Sequence, residues 1–172
     1  MLETPRLFLV PSDAAMLHAA VEEDWSTLSR LLGGVDFAEN WTHFPEAILW
    51  MRDHLQDEPG ESPWWNYLVI HREEARLVGS CGFKGPPEPN GSVEIGYEIA
   101  DAYQGRGLAT EVAEALMNWA VRQEGVRVVL AHTLAEENAS TRILRKLGFE
   151  FVEEMIDIED GKIWAWRRDV RA

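Results

Sequence analysis

The stretch Val93-Glu-Ile-Gly-Tyr97-Glu-Ile-Ala-Asp-Ala-Tyr-Gln104-Gly-Arg-Gly107-Leu-Ala-Thr110-Glu111 carries the residue types best suited to chemistry. A strand-like alternation ends, a turn with two glycines follows, and helical spacing begins inside that turn. The start of a helix leaves its first backbone N–H groups unpaired, and the helix dipole favours an anion beside them. Gly105 and Gly107 remove side chains that would hold a phosphate away from the backbone, and Arg106 adds positive charge in an acidic chain. The chemistry implied is capture of a phosphate-bearing ligand. Two familiar phosphate motifs fail. A P-loop needs Gly-x-x-x-x-Gly-Lys-Ser/Thr, and no lysine here precedes Ser or Thr. A dinucleotide fingerprint needs Gly or Ala where Thr110 stands, and an acidic residue ending the next strand, which reads Val126 to Thr133.

These residues need elements to position them. Arg6 to Val10 reads as a first strand, followed by a helix capped at Ser12 or Asp13 and running to about Val21. Helical spacing recurs over Trp25 to Leu32 and over Pro45 to Gln56, and Asp57 to Pro63 reads as a loop. Trp64 to His71 and Arg76 to Lys84 are predicted strands. The turn residues Pro86 to Gly91 then join Arg76–Lys84 to Ser92–Ala100 as a hairpin. Within the last of these, Val93, Ile95, Tyr97 and Ile99 point one way, Glu94, Gly96 and Glu98 the other. A helix over Gly107 to Gln123 leads to the strand Val126–Thr133, whose near-continuous apolar run predicts burial on both faces. Asn138 caps a helix to Leu147, Gly148 sits just past its end, Phe149 opens another strand, and Lys162–Asp169 is the last. The order is α/β, with a mostly antiparallel first half.

The 172 residues suit one domain, spanning 1–172, and a composition of 46% hydrophobic and 27% charged residues predicts a folded core. The net charge of −14 argues against nucleic acid or an anionic membrane as partner. One cysteine, Cys81, excludes an intrachain disulfide and a multi-cysteine zinc site, and the five histidines show no metal-ligand spacing. No run approaches the roughly 18 apolar residues of a membrane span. The N-terminus also lacks a leader pattern, so the expected location is cytoplasmic.

The turn matches Arg/Gln-x-x-Gly-x-Gly/Ala, the acyl-CoA loop of the GNAT acetyltransferases, through Gln104, Gly107 and Ala109. Asn138-Ala-Ser140-Thr-Arg-Ile-Leu144-Arg-Lys-Leu147-Gly148-Phe149 resembles the helix and strand that follow in that family. Glu94-Ile-Gly-Tyr97 and Thr4-Pro-Arg6-Leu resemble its subgroup that acetylates ribosomal protein N-termini. The likeness is dense from Glu94 to Phe149 and loose before Trp64. It implies a mixed, mostly antiparallel central sheet flanked by helices. It also implies direct acetyl transfer from acetyl-CoA to an amine, with acetyl-CoA as co-substrate and no metal.

By that resemblance the pantetheine arm pairs with the backbone of Tyr97, Glu98 and Ile99, where the strand splays from its neighbour. Pyrophosphate sits on the amides of Gln104, Gly105, Arg106, Gly107, Leu108, Ala109 and Thr110, and Asn138 contacts the pantetheine. The bottom-up requirements agree. An amine attacks only when neutral, yet an α-amino group has a pKa of about 7.7–8.0 and lysine about 10.4. A carboxylate must therefore take its proton, directly or through water. Glu94 is the expected base, set against an ordinary solvated strand residue. Glu98 shares its face unless a bulge turns it away. Ser140 is the expected acid for the departing thiolate, set against a serine that satisfies a helix amide.

Trp41 and Trp64-Trp65 flank loops where this family shapes its acceptor site, while Trp119 reads as core. The acidic run Glu150 to Asp160 is a solvated face or an attractor for a cationic acceptor, and Cys81 reads as a buried small hydrophobe. The acceptor is thus expected to be a cationic small-molecule or peptide amine, and the enzyme a monomer or homodimer. Two rivals stand beside an N-terminal acetyltransferase. One is a small-molecule enzyme acting on an aminoglycoside, polyamine or amino acid; the other is a CoA-binding regulatory module without turnover.

Overall fold

The computed structural model describes residues 1–43 and 45–170, so the last two residues of the 1–172 span lie outside the described residues. The chain order is β1 (Leu2–Glu3), β2 (Leu7–Pro11), α1 (Ala14–Val21), α2 (Trp25–Leu31), β3 (Asp36–Phe37), α3 (Pro45–Asp57), β4 (Asn66–His71) and β5 (Arg76–Phe83). There follow β6 (Ser92–Ile99), α4 (Leu108–Ala120), β7 (Val128–Leu134), α5 (Ala139–Lys146), β8 (Glu150–Asp157) and β9 (Gly161–Asp169). The strands join in one sheet of order β1-β2-β4-β5-β6-β7-β9-β8, with β3 added beside β5. Pairing is antiparallel except at β3–β5 and β6–β7. Alternation of side chains feeds two cores. Leu9, Val69, Val93 and Ile95 pack with Val112 and Leu116 of α4, while Leu68, Ile70 and Leu77 pack with Leu17, Leu28 and Leu55 of α1, α2 and α3. Helices thus cover both faces of the sheet.

Asp13 caps α1 by accepting from the Met16 amide, and α3 starts at Pro45 as expected. The expected loop over Asp57–Pro63 instead holds a 3₁₀ turn, Pro59–Trp64. The two-residue strands β1 and β3 were too short to show a period. The expectation of a doubly buried Val126–Thr133 strand is corrected. Val129, Ala131 and Thr133 are buried, whereas Val128, Leu130 and His132 are half-buried and Leu134 is exposed. The second face of β7 carries His132, paired with Glu94, and Leu134, which lines a cavity.

Candidate active site

The arrangement of β6 creates the site. It pairs with β5 continuously from Gly79↔Ile99 to Phe83↔Ile95, with no bulge. Its pairing with β7 covers only Ser92, Val93 and Glu94. Past Glu94 the two parallel strands part, and the freed edge of β6 faces a cavity of about 860 Å³, a volume suited to a small-molecule ligand. Tyr97, Glu98 and Ile99 line it from β6, Leu134 from β7, and Ser140 from α5.

The opposite wall is the turn into α4, built from Gln104, Gly105, Gly107, Leu108, Ala109 and Thr110. Gly107 is the N-cap residue with φ +78°, a left-handed conformation costly for a side chain, and it offers no capping side chain to the helix amides. At Gly105, φ is +72° and an added Cβ would meet nothing within 4 Å. The Gln104 side-chain amide donates to the Ile99 carbonyl at 3.0 Å, tying the turn to the end of β6. The result is a bare helix N-terminus opening into a cleft, which fits a pyrophosphate. Across it, α5 contributes Arg142 and Lys146, two cations that motif reading passed over.

Arg106 is not among the cavity's lining residues, contrary to expectation. Its guanidinium lies over the Tyr103 ring at 4.7 Å and donates to the Ala102 carbonyl at 2.9 Å. The turn is braced instead from the N-terminus. Glu111 on α4 accepts the Arg6 backbone N–H and Nε–H, each at 2.8 Å, and the Thr4 hydroxyl. Arg6 Nη1 donates to the Arg106 carbonyl at 2.8 Å. Burial opposes ionisation of Glu111, but the hydrogen bonds from Thr4 and Arg6, with the Arg6 charge, hold its carboxyl below the usual range. Thr4-Pro-Arg6 thereby gains a physical role.

On α5, Asn138 accepts from the Thr141 amide at 3.0 Å, and the Thr141 hydroxyl takes the Asn138 N–H in return. The Asn138 side chain is thus spent on the cap and does not line the cavity. That cap frees Ser140 from the helix-start role, and Ser140 faces the cavity beside Tyr97. The Tyr97 hydroxyl is buried without a hydrogen-bond partner in ordinary geometry. Burial pushes its pKa up to about 12, against a smaller downward pull from Ser140.

Two carboxylates stand on the other face of β6. Glu98 lines the cavity and accepts the His43 backbone N–H at 3.0 Å. Glu94 sits where the strands part, outside the cavity lining, and its Oε1 accepts from His132 Nδ1 at 2.9 Å and contacts the Lys84 ammonium. Between them Gly96 is exposed, and a Cβ there would meet nothing within 4 Å. His132 and Lys84 were missed because only the register of β6 on β7 brings them to Glu94.

The tryptophans do not line this cavity. Trp41 is buried in the second core, Trp64 packs on Phe83 and Trp119, and Trp65 packs on Trp50 and His54. Cys81 is buried and its thiol is pushed up by burial. The acidic β8 is an exposed edge strand, where Glu154 pairs with Lys162. Among the described residues no group of three His, Cys, Asp or Glu could hold a metal, and no helix is long and apolar enough to cross a membrane.

Residues 6–150 match the model of the acetyltransferase (GNAT) domain. The chain is 32% identical over 151 residues to the uncharacterized N-acetyltransferase YjdG of Bacillus subtilis, covering 87% of this chain and 89% of that protein. It is 20% identical to the ribosomal-protein-serine acetyltransferase of Escherichia coli over 148 residues, 80% of each chain. Among solved structures, the ribosomal L7/L12 alpha-N-protein acetyltransferase RimL, in complex with coenzyme A, superposes with a TM-score of 0.68 at 19% identity, over 97% of this chain and 96% of that one. The spermidine/spermine N-acetyltransferase SpeG of Vibrio cholerae also gives 0.68, at 12% identity over 96% and 95%.

Proposed function

Given that the chain belongs to the GNAT acetyltransferase family and is an acetyl-CoA-dependent N-acetyltransferase, we propose that it passes the acetyl group directly to a cationic primary amine, on a protein N-terminus or a small molecule. The observation that carries this is the parting of β6 and β7 past Glu94, with a bare helix N-terminus on one wall of the opening and two carboxylates on the adjoining strand. Acetyl-CoA supplies the activated acyl group. The Gln104–Thr110 backbone holds its pyrophosphate, aided by Arg142 and Lys146, while the free edge of Tyr97, Glu98 and Ile99 aligns its pantetheine. Asn138 contributes by holding the start of α5 in place, and Ser140 offers its hydroxyl proton to the thiolate. The amine approaches over Gly96, and its proton leaves toward the Glu94 centre. Backbone N–H groups on the parted strand stabilise charge on the thioester oxygen.

Direct transfer is supported by the state of the single cysteine: Cys81 is buried and its thiol is shifted toward the unreactive neutral form, so it is no acyl carrier. A cytoplasmic location goes with a single buried cysteine. The test is thiol release from acetyl-CoA with a panel of peptides, polyamines, aminoglycosides and amino acids. At least one cationic amine should support turnover. A protein stabilised by acetyl-CoA that releases thiol with none of them would instead be a binding module.

A further inference from the structure

Resting on that acetyl-transfer reading, we infer that His132 receives the proton of the acceptor amine, and that Glu94 acts as the positioning residue that holds it. Glu94 Oε1 is already engaged by both Lys84 Nζ and His132 Nδ1. An ionised carboxylate only accepts hydrogen bonds, so the ring nitrogen facing it must carry the hydrogen. The neutral imidazole then has its lone pair on Nε2, free to take a proton. Carboxylate and imidazole form an oriented pair in which the ring is the outward member.

The place of the pair in the fold agrees. His132 stands two residues before Leu134 on β7, so both point to one face, and Leu134 lines the cavity. It lies past Leu130, the last β7 residue paired with β6, on the stretch where the strands part and just outside the cavity lining. Its side chain is 27% exposed, enough for contact with an entering amine. Three of the neighbouring segments bring a charge near the ring. Lys84 comes from the segment after β5, Glu94 from β6, and Asp157 from the end of β8; β9 presents apolar Ala165 opposite. The Asp157 carboxyl is held low by the Asp160 and Glu159 amides and then by the Lys84 and His132 charges. Two carboxylates, Glu94 and Asp157, thus act on the imidazolium that forms, against the single Lys84 cation.

The proton count closes. The ammonium gives one proton to Nε2, the neutral nitrogen bonds to the acetyl carbon, and the carbon–sulfur bond breaks. The second nitrogen proton is balanced by the one the sulfur acquires, and the imidazolium returns its proton to solvent. The net products are the amide, the thiol and one released proton.

The decisive variant is His132→Asn, because its side-chain N–H can still reach Glu94 while no proton acceptor replaces Nε2. Turnover at pH 7 should fall about 10²-fold or more, within the range of general-base losses. The acid limb of the kcat profile should vanish, and the acetyl-CoA-induced thermal shift should persist. Glu94→Gln should keep that limb and lower kcat less than His132→Asn does, because the ring loses only its orienting partner. Nitrogen-15 NMR of the ligand-free protein should show neutral His132 protonated on Nδ1. Wild-type turnover with His132→Asn within about threefold of it and the limb retained, or a hydrogen on Nε2 in the neutral ring, would overturn this inference alone. A wild-type protein that turns over no amine would instead overturn the transfer reading beneath it.

Discussion

Glu111, in the first turn of α4, and Arg6, at the entry to β2, are 105 positions apart in sequence and joined by two 2.8 Å hydrogen bonds. Their contact ties the N-terminal segment to the turn into α4, because Arg6 also donates to the Arg106 carbonyl inside that turn. The N-terminal segment therefore braces a turn that contains two left-handed glycines, in addition to the tie from Gln104 to Ile99.

Glu111→Gln should destabilise the fold by about 2 kcal/mol, the scale of a charge-assisted hydrogen bond, and weaken acetyl-CoA binding. The folded pKa of Glu111 lies below its unfolded value of about 4.3. Its contribution is therefore fully present above that unfolded value and is lost as pH falls through the depressed folded one. Thermal unfolding from pH 7 down to acid should show the wild-type advantage over Glu111→Gln shrinking through that window. A constant gap would contradict the brace.

Gly107→Val should abolish the stabilisation by acetyl-CoA while the protein still folds. An added Cβ at Gly107 has room, meeting only Arg6 Nη2 at 3.5 Å, so the penalty lies in φ +78° and in the bulk placed at the amides. A folded variant with an undiminished ligand-induced shift in Tm would refute the cradle.

Gly96→Leu should fill the space between Glu94 and Glu98, where a Cβ meets nothing within 4 Å. The amine KM should rise at least about tenfold, the cost of roughly 1.4 kcal/mol of lost binding, with the acetyl-CoA shift intact. An unchanged amine KM would place the acceptor elsewhere.

Local signals sufficed for much of this site. The Gln104–Thr110 turn, the Asn138 cap and the alternation along β6 are decided by residues within a few positions of one another, and each stands as read. What could not be read were relations across the sheet. The register of β7 on β6 brings His132 to Glu94, and the packing of β2 near α4 turns Thr4 and Arg6 into a brace. Arg106 misled because charge beside a glycine turn looks like a phosphate ligand until the Tyr103 ring claims the guanidinium. The half-buried face of β7 misled for a related reason: an apolar run does not reveal that one face ends at a cavity.

Salt should affect the two substrates oppositely. The chain carries −14, and Asp157 on the acidic β8 stands near Lys84 and His132. A cationic amine should therefore be drawn in by a field that salt screens over about 8 Å at physiological strength, and anionic acetyl-CoA should be opposed by it. Raising salt should increase the amine KM and leave the acetyl-CoA KM unchanged or lower. A flat amine KM would mean that the acidic surface steers nothing.

The central claim is direct transfer within one ternary complex, and initial-velocity kinetics with both substrates varied test it most directly, with intact-protein mass measured on the enzyme alone with acetyl-CoA. Double-reciprocal lines should intersect, thiol and acetylated amine should form in equal amounts, and the enzyme should stay unacetylated. Parallel lines together with an acetylated protein would contradict the account.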